Sequence, residues 1–418
     1  MLLASDAYSY RSGVLYCEEA PLDEIARRAG TPCYVYSSRA VLDRFRAYEE
    51  ALEGFPHLVS YAVKANSNLA LLRLLAAAGA GFDIVSGGEL FRVIQAGGDP
   101  SRVVFSGVGK TPAEIEYALK SGIYAFHCES EGELGLIEAL AARLGVCARV
   151  ALRVNPDVDA GAHPYISTGM REHKFGIGMA EAESLYHRAQ KLPHLSLEGV
   201  SCHIGSQILE VEPLLEALDR LLELARRLRA AGLPIRHLDL GGGLGIPYRP
   251  SDSAPDIAEF VKQVRRLMEG QDLFLILEPG RSIVGEAGVL LTTVLYRKPG
   301  ATREFIIVDA AMNDLLRPSL YQSHHEIFAV RQAVRGTVRA DVVGPVCESG
   351  DFLALDREMP NALPGDVLAV WTAGAYGFVL ASNYNSRPRP PEVLVEGDRW
   401  RIVRARETYE DLIRGESV

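Results

Sequence analysis

Val59-Ser60-Tyr61-Ala62-Val63-Lys64-Ala65-Asn66 is a short apolar run that ends in a lysine and an asparagine. A run of this length, rich in β-branched and aromatic residues, is typical of a fully buried strand. The stretch that follows, Leu69–Ala78, carries apolar residues at the spacing of an amphipathic helix. Together the two stretches predict a strand covered by the helix that follows it, the repeating unit of α/β proteins.

The same pattern recurs along the chain. We predict strands at Val59–Val63, Gly81–Val85, Val103–Ser106, Tyr124–His127, Val150–Val154, Leu197–His203, His237–Leu240 and Phe274–Leu277. Further helices are predicted at Gly88–Ala96, Pro112–Lys120 and Pro213–Ala230. Apolar strands that alternate with helices indicate a parallel sheet. Eight such units in about 225 residues predict a TIM-type (β/α)8 barrel, an α/β fold to which we assign residues 31–285.

A second domain is predicted from the change of pattern after about residue 285, where helical signals become sparse. The strand-like segments there are Gly288–Tyr296, Glu304–Asp309, Gly336–Val343, Phe352–Leu355, Val367–Val370 and Glu392–Val395. Because Gly and Pro turns separate them, they indicate a mainly antiparallel β domain. Residues 1–30 contain another strand pair, Ser9–Tyr10 and Leu15–Tyr16, so we assign residues 1–30 and 286–418 to this domain.

The composition excludes several classes of protein. Lys and Arg number 44 against 54 Asp and Glu, a formal charge of −10. Nucleic acids and anionic membranes require a basic surface, so neither is a predicted partner. No apolar run reaches the ~18 residues of a membrane span, and no basic segment with an apolar core opens the chain. The six cysteines lack CxxC spacing, which predicts reduced thiols in a cytoplasmic protein without a metal.

Polar or glycine-rich segments follow nearly every predicted barrel strand. They are Lys64–Asn66, Ser86–Glu89, Gly107–Lys110, Asn155-Pro156, His203–Gln207, Gly241–Gly243 and Glu278–Arg281. In a (β/α)8 barrel these exits converge on one rim, which is where the active site lies. The sequence therefore predicts an active site at the carboxyl ends of the strands.

Four of these exits suggest specific chemistry, each with a simpler alternative. Lys64 could form a Schiff base if its amine is partly neutral, or it is a solvated rim lysine. Gly241–Gly243 could bind a phosphate through backbone N–H groups, or form only a tight turn. His203 could stack on a flat ring, or be a core histidine. Arg281 could bind a phosphate or carboxylate, or form a surface ion pair.

In the predicted β domain, the segment Cys347–Asp351 lies in a turn between strands. A cysteine among acidic residues suits a general acid better than a nucleophile, and an ordinary turn is the alternative. The segments Gly374–Gly377 and Arg317–Tyr321 add two phenols and a cation.

Taken in order, these segments resemble the fold-type III pyridoxal phosphate (PLP)-dependent decarboxylases from about Thr31 to Asn383. The matching motifs are YAVKAN (61–66), FDIVSGGEL (82–90), HPYISTG (163–169), HKFGI (173–177), HIGSQI (203–208), GGGLGI (241–246), EPGR (278–281), MNDLLRPSLY (312–321), GPVCESGD (344–351) and GAYG (374–377). Within that family, the resemblance implies decarboxylation of meso-2,6-diaminoheptanedioate to L-lysine and CO2, the last step of lysine biosynthesis.

The resemblance also implies roles for individual residues. Lys64 would carry PLP as a Schiff base, with His203 stacked on the ring and Glu278 paired with the pyridine nitrogen. Residues around the phosphate and cofactor would be Ser206, Gly242, Gly243, Gly280, Arg281 and Tyr376. Residues that bind the distal end of the substrate would be Arg281, Arg317, Tyr321, Glu348 and Tyr376. Cys347 would deliver the proton that replaces the carboxylate.

In the family the active sites are shared within a homodimer, and the CESGD segment completes the site of the partner subunit. The resemblance therefore implies a homodimer, with Lys174 and Asp351 as a hypothetical ion pair between subunits. Two departures from the family pattern, His324-His325 and Ala310-Ala311, touch none of the named roles.

Three alternatives belong to other functions. A sister decarboxylase acting on ornithine, arginine, carboxynorspermidine or a carrier-bound amino acid would not need both Arg317 and Glu348 for the far end of its substrate. A racemase of the alanine racemase type would carry an arginine in place of Glu278. A PLP carrier protein would resemble a bare barrel without the domain that holds Cys347 and Tyr376.

Overall fold

A computed structural model of the chain describes residues 6–159, 174–300 and 303–418. The chain divides into two units. The barrel unit consists of Arg44–Ile246 and Ser253–Ser282, and the β unit consists of the residues up to Asp43, Pro247–Asp252 and Ile283–Val418.

The barrel unit confirms the predicted fold. Within the described residues, eight parallel strands close into a barrel, numbered 1 to 8 in chain order: His57–Ala62, Gly81–Ile84, Val103–Phe105, Ala125–Cys128, Ala148–Asn155, Leu195–Ser201, His237–Asp239 and Phe274–Leu277. Strand 8 pairs in parallel with strand 1, which closes the barrel. A short extra strand, Ile177–Gly178, pairs with strand 5. The barrel strands are almost entirely buried, as expected for strands that helices cover.

Several helices begin after a residue whose side chain accepts one of the first N–H groups. The bounds are Leu22–Ala29, Ser38–Ala51, Leu69–Ala77, Gly87–Gln95, Pro112–Ser121, Glu131–Leu144, Met179–Ala189, Glu212–Ala230, Ile257–Met268, Arg281–Val284, Arg317–Tyr321 and Tyr409–Leu412. The Ser86 side chain accepts the N–H of Glu89, and Thr111 forms a capping box with Glu114. No helix in the described part of the chain is long and apolar enough to cross a bilayer.

The β unit is a mostly antiparallel sheet. Its strands lie in the order Phe352–Pro360, Thr337–Val343, Glu304–Val308, Gly288–Pro299, Cys33–Ser37, Glu392–Glu396 and Arg399–Arg404, and Ile327–Ala329 pairs with Val367–Val370 beside them. A separate three-stranded sheet consists of Tyr8–Arg11, Val14–Cys17 and Ala20–Pro21. The predicted strands of this domain are all present, with longer ends in several cases.

The unit boundaries differ from the predicted domains at three places. Residues 31–43, 247–252 and 283–285, which the sequence placed in the barrel, lie in the β unit. The reason for the first is strand Cys33–Ser37, whose five residues are all buried. It pairs with Gly288–Pro299 and Glu392–Glu396, so its hydrogen bonds belong to the β sheet.

Candidate active site

Lys64 lies at the carboxyl rim of the barrel, directly after strand 1. The strand ends at Ala62, and a single 3-10 turn, Val63–Ala65, carries the lysine. The Nζ atom lies 2.6 Å from Oδ2 of Asp83, a fully buried residue of strand 2. The lysine side chain remains 32% exposed. A buried carboxylate therefore holds the amine in place while leaving it accessible.

Glu278 follows strand 8 and is buried. Its Oε1 atom lies 3.5 Å from Oγ of Ser106 and 3.5 Å from Nδ1 of His127. Burial raises the pKa of Glu278, and the negative charge of Asp83 raises it further. A carboxyl group in this environment can share or hold a proton near neutral pH.

The three glycines after strand 7 form a backbone cradle that no side chain could enter. A Cβ on Gly242 would lie 2.1 Å from the carbonyl oxygen of Glu278, and one on Gly243 would lie 2.5 Å from that of Gly205. Gly243 also has a φ of +115°. The Gly242 N–H donates to Nδ1 of His203 at 3.3 Å. Only glycine allows the backbone to approach this closely, as a phosphate cradle requires.

The exits of strands 6 and 8 are joined by a side-chain contact. Arg281 is buried, and its Nη2 donates to Oγ of Ser206 at 3.0 Å. A Cβ on Gly280 would meet the Cβ atoms of Ala62 and Ala65 at 3.0 Å, so the strand 8 exit lies against the strand 1 exit. Burial lowers the pKa of His203 well below its usual value. A neutral imidazole suits contact with a flat ring.

In the β unit, Arg317 is buried and its guanidinium is oriented by three neighbours. Its Nε faces Nε2 of His325 at 3.4 Å, its Nη2 donates to Oγ of Ser323 at 3.2 Å, and its Cζ lies 4.7 Å from the centre of the Tyr248 ring. Nδ1 of His325 lies 2.8 Å from the carbonyl oxygen of Trp371. That carbonyl can only accept, so Nδ1 carries the proton and Nε2 is left to accept from Arg317.

Cys347 and Glu348 are both exposed on the β unit. The N–H of Cys347 donates to Oδ1 of Asn385 at 2.7 Å, and the Tyr384 hydroxyl donates to Oε2 of Glu348 at 3.4 Å. Tyr321 is partly exposed at the end of helix Arg317–Tyr321. The three side chains are accessible for contact with another molecule.

Tyr376 has a left-handed backbone with a φ of +54°. A Cβ on Gly374 would lie 1.8 Å from the carbonyl oxygen of Val284, and one on Gly377 would lie 2.5 Å from that of Ala373. A bulky residue in this conformation is strained, and such strain is common at functional sites.

Asp351 is 4% exposed, and both carboxylate oxygens accept backbone N–H groups of their own unit. Oδ1 accepts from Met312 and Oδ2 accepts from Val346, each at 2.7 Å. The carboxylate therefore has donors within its own unit, and the hypothetical intersubunit ion pair with Lys174 stays a prediction.

Comparison with known proteins places these residues in a family. Residues 38–285 match the family model described as the pyridoxal-binding domain of pyridoxal-dependent decarboxylases. A diaminopimelate decarboxylase of Pseudomonas aeruginosa is 56% identical over 99% of both chains. The chain belongs to the diaminopimelate decarboxylases.

Solved structures support the same family. The diaminopimelate decarboxylase of Helicobacter pylori, complexed with L-lysine, has a TM-score of 0.91 at 45% identity and covers 94% of this chain and 98% of its own. That of M. jannaschii, also in complex with L-lysine, has a TM-score of 0.95 at 36% identity and covers 100% of this chain and 99% of its own.

The barrel rim of this decarboxylase fits PLP. The glycine cradle has no room for a Cβ, which matches a backbone that approaches a phosphate. Lys64 supplies an accessible amine, and Glu278 supplies a buried acid for a ring nitrogen. One rim of the barrel therefore provides an amine, a buried acid and a backbone cradle, the three types of group that PLP requires.

The buried groups beneath this rim were not predicted from the sequence. Asp83, Ser106, His127 and Asp239 all lie within or directly after barrel strands, in segments interpreted as apolar. An acid inside a buried strand is itself a signal, because a charge there requires a partner. Of the matched motifs, HPYISTG and the first residue of HKFGI lie outside the described residues.

Proposed function

We propose that this decarboxylase converts meso-2,6-diaminoheptanedioate to L-lysine and CO2, the last step of lysine biosynthesis. The reaction breaks the bond between one Cα and its carboxylate, releases CO2 and adds one proton to that carbon. The observation that carries the proposal is the rim that holds Lys64, Glu278 and the glycine cradle together, in a chain 56% identical to a diaminopimelate decarboxylase.

Bound at this rim, PLP supplies an electron sink for the pair of electrons that the departing carboxylate leaves behind. Lys64 would hold the cofactor covalently, and Asp83 orients its amine from 2.6 Å. Glu278 would hold the proton of the ring nitrogen, and burial of its carboxyl keeps water from competing for that proton. His203 would lie against the ring as a neutral imidazole.

Phosphate binding is proposed for the cradle and for the residues around it. Gly243 would offer its backbone N–H, Ser206 its hydroxyl, and Gly242 and Gly280 the close approach of the strand 7 and strand 8 exits. Arg281 would contribute indirectly, because its guanidinium donates to the Ser206 hydroxyl and so orients it. Tyr376 of the β unit would add a phenol hydroxyl.

Substrate binding is proposed for residues of the β unit, together with Arg281. Arg317 would bind the distal carboxylate bidentately. Its guanidinium lies over the Tyr248 ring and its Nε donates to His325, so the group is held in a fixed orientation. Tyr321 would add a hydrogen bond, and Glu348 would pair with the distal ammonium. Cys347 would then donate the proton to the carbon.

We also propose that the protein acts as a cytoplasmic homodimer with shared active sites. Cys347 and Glu348 are exposed, which leaves them free to reach a second subunit. All six cysteines are free thiols, as a reducing cytoplasm favours.

The decisive experiment measures CO2 release by the purified PLP-loaded protein. We expect an absorbance band at about 420 nm from the bound cofactor, and CO2 release with the meso isomer but not with L-ornithine. A K64A variant is the matched control and should release no CO2 with either compound. Turnover of ornithine without turnover of diaminoheptanedioate would refute the proposed substrate and favour a sister decarboxylase.

A further inference from the structure

A second buried acid lies beside Glu278. Asp239, the last residue of barrel strand 7, is completely buried. One oxygen of Asp239, one oxygen of Glu278 and one ring nitrogen of His127 all lie within 4.8 Å of one another. When two buried carboxyl groups lie this close together, the charge of one disfavours the charge of the other and raises its pKa.

The two oxygens of Asp239 have different surroundings. Oδ1 accepts the N–H of Gly241 at 2.7 Å, which ties the acid to the first glycine of the cradle. No N–H or O–H donor of the described residues reaches Oδ2. Oδ2 lies 3.6 Å from Nε2 of His127, beyond hydrogen-bond distance. Glu278, the other acid of this cluster, is the neighbouring group that could share a proton with Asp239.

The pKa values of both acids are raised, and positive charges counteract the rise at Glu278. Lys64 and Arg153 each lower the pKa of Glu278, against the larger opposing effects of burial and Asp83. The pKa of Asp239 is raised well above its usual value, by burial first and by the charge of Glu278 second.

His127 does not compensate Asp239 with a positive charge. Burial lowers its pKa well below the usual value for histidine, and nearby groups that include His237 and Lys110 lower it further. The other charged groups nearby form pairs of their own, Lys64 with Asp83 and Arg153 with Glu129. Within the described residues, Asp239 therefore faces acids and a neutral ring.

We propose that Asp239 is a positioning residue that stays protonated at neutral pH and donates its proton to Glu278. The hydrogen bond would leave Glu278 as the charged member of the pair and fix its carboxylate for the ring nitrogen of PLP. The inference rests on the proposed role of Glu278. Because Oδ1 of Asp239 also accepts the N–H of Gly241, Asp239 would connect the phosphate cradle to Glu278 at the other end of the cofactor.

Two substitutions at this position separate a proton donor from a charged carboxylate. In D239N the amide oxygen can still accept from Gly241, and the amide NH2 can still donate to Glu278. D239A removes both hydrogen bonds and leaves Glu278 without its donor. We expect PLP to bind D239A about tenfold to a hundredfold more weakly, whereas D239N should restore the dissociation constant to within about threefold of wild type.

The measurements are made on the full chain. Fluorescence titration gives the PLP dissociation constant, and absorbance at about 420 nm reports the bound cofactor. Circular dichroism confirms that each variant is folded. If D239N binds PLP as weakly as D239A, Asp239 acts as a charged carboxylate and the proposal is wrong. A D239N defect that a divalent cation reverses would instead assign the three-residue cluster to a metal.

A double-mutant cycle tests whether Asp239 acts through Glu278. We expect D239A to change the absorbance spectrum and PLP affinity of wild type, but to change those of E278Q by less than about twofold. Additive effects would show that Asp239 is only structural and would overturn the inference. A normal spectrum in E278Q alone would refute the proposed role of Glu278 itself, which is a separate failure.

Discussion

Lys64 and Lys110 follow barrel strands 1 and 3, and their environments are opposite. Lys64 is 32% exposed, and its Nζ contacts the carboxylate of Asp83. The Lys110 side chain is 1% exposed, and its Nζ donates to the carbonyl oxygens of Gly107 and His127 and to Glu133. The three donors of Lys110 are thereby used, so its role is to fix the strand 3 exit.

The same substitution at both lysines should separate these roles. K64R keeps the charge beside Asp83 but cannot form a Schiff base, so we expect near-normal thermal stability and no bound-cofactor absorbance band. K110R forces a larger group into a closed site and should lower the free energy of unfolding by about 1–3 kcal/mol. Thermal unfolding and absorbance check both; a K110R protein as stable as wild type would contradict this view of Lys110.

Some site residues could be predicted from sequence because barrel geometry assigns them. Lys64, His203, Gly242 and Glu278 all directly follow strands, and every strand of a parallel barrel ends at the same rim. Asp239 could not be predicted in its role, because only the fold brings its carboxyl beside Glu278 from the neighbouring strand.

Among the elements, the barrel strands were predictable because helices cover them and make their sequences continuously apolar. Four strands of the β unit were not predicted: Ala20–Pro21, Cys33–Ser37, Ile327–Ala329 and Arg399–Arg404. Two of them have a clear physical reason. Cys33–Ser37 finds its partners only far along the chain. Arg399–Arg404 is the last strand of its sheet, partly exposed and rich in arginine, so it lacks an apolar run.

The helix Glu131–Leu144 offers a prediction about its own stability. Gly135 lies inside this helix, is exposed, and would have no atom within 4 Å of an added Cβ. Glycine in a helix interior costs conformational entropy, so G135A should raise the free energy of unfolding by about 0.5–1 kcal/mol. Urea unfolding measures the change. As a matched control, G145A replaces the left-handed C-cap of the same helix and should destabilise it.

The stability of the folded protein should depend on pH through Asp314. Burial raises its pKa to about 7, above the value of about 3.9 expected in the unfolded chain. The neutral acid therefore contributes stability that is complete below about pH 4 and is lost as the pH rises through about 7. Urea unfolding between pH 5 and 8 should show a fall for wild type that is smaller in D314N by about 2–3 kcal/mol. Identical pH profiles would contradict this assignment.

Mixing two inactive variants tests whether the active sites are shared between subunits. K64A and C347A each lack one essential group, and a mixed dimer would combine the intact Lys64 of one subunit with the intact Cys347 of the other. Random exchange should recover about a quarter of wild-type activity, because about half of the dimers then contain one intact site of two. Mixtures that stay inactive although size measurements show subunit exchange would place both groups in one chain.

Closure of the barrel between strands 1 and 8 has a consequence for synthesis in the cell. A nascent chain exposes the cofactor's lysine early, but the acid for the ring nitrogen leaves the ribosome only with the last strand. High-affinity binding of the cofactor therefore requires a completed barrel, and a bound ligand stabilises that closed form by mass action. The supply of vitamin B6 would then determine the amount of protein that survives proteolysis as well as the fraction of it that is active.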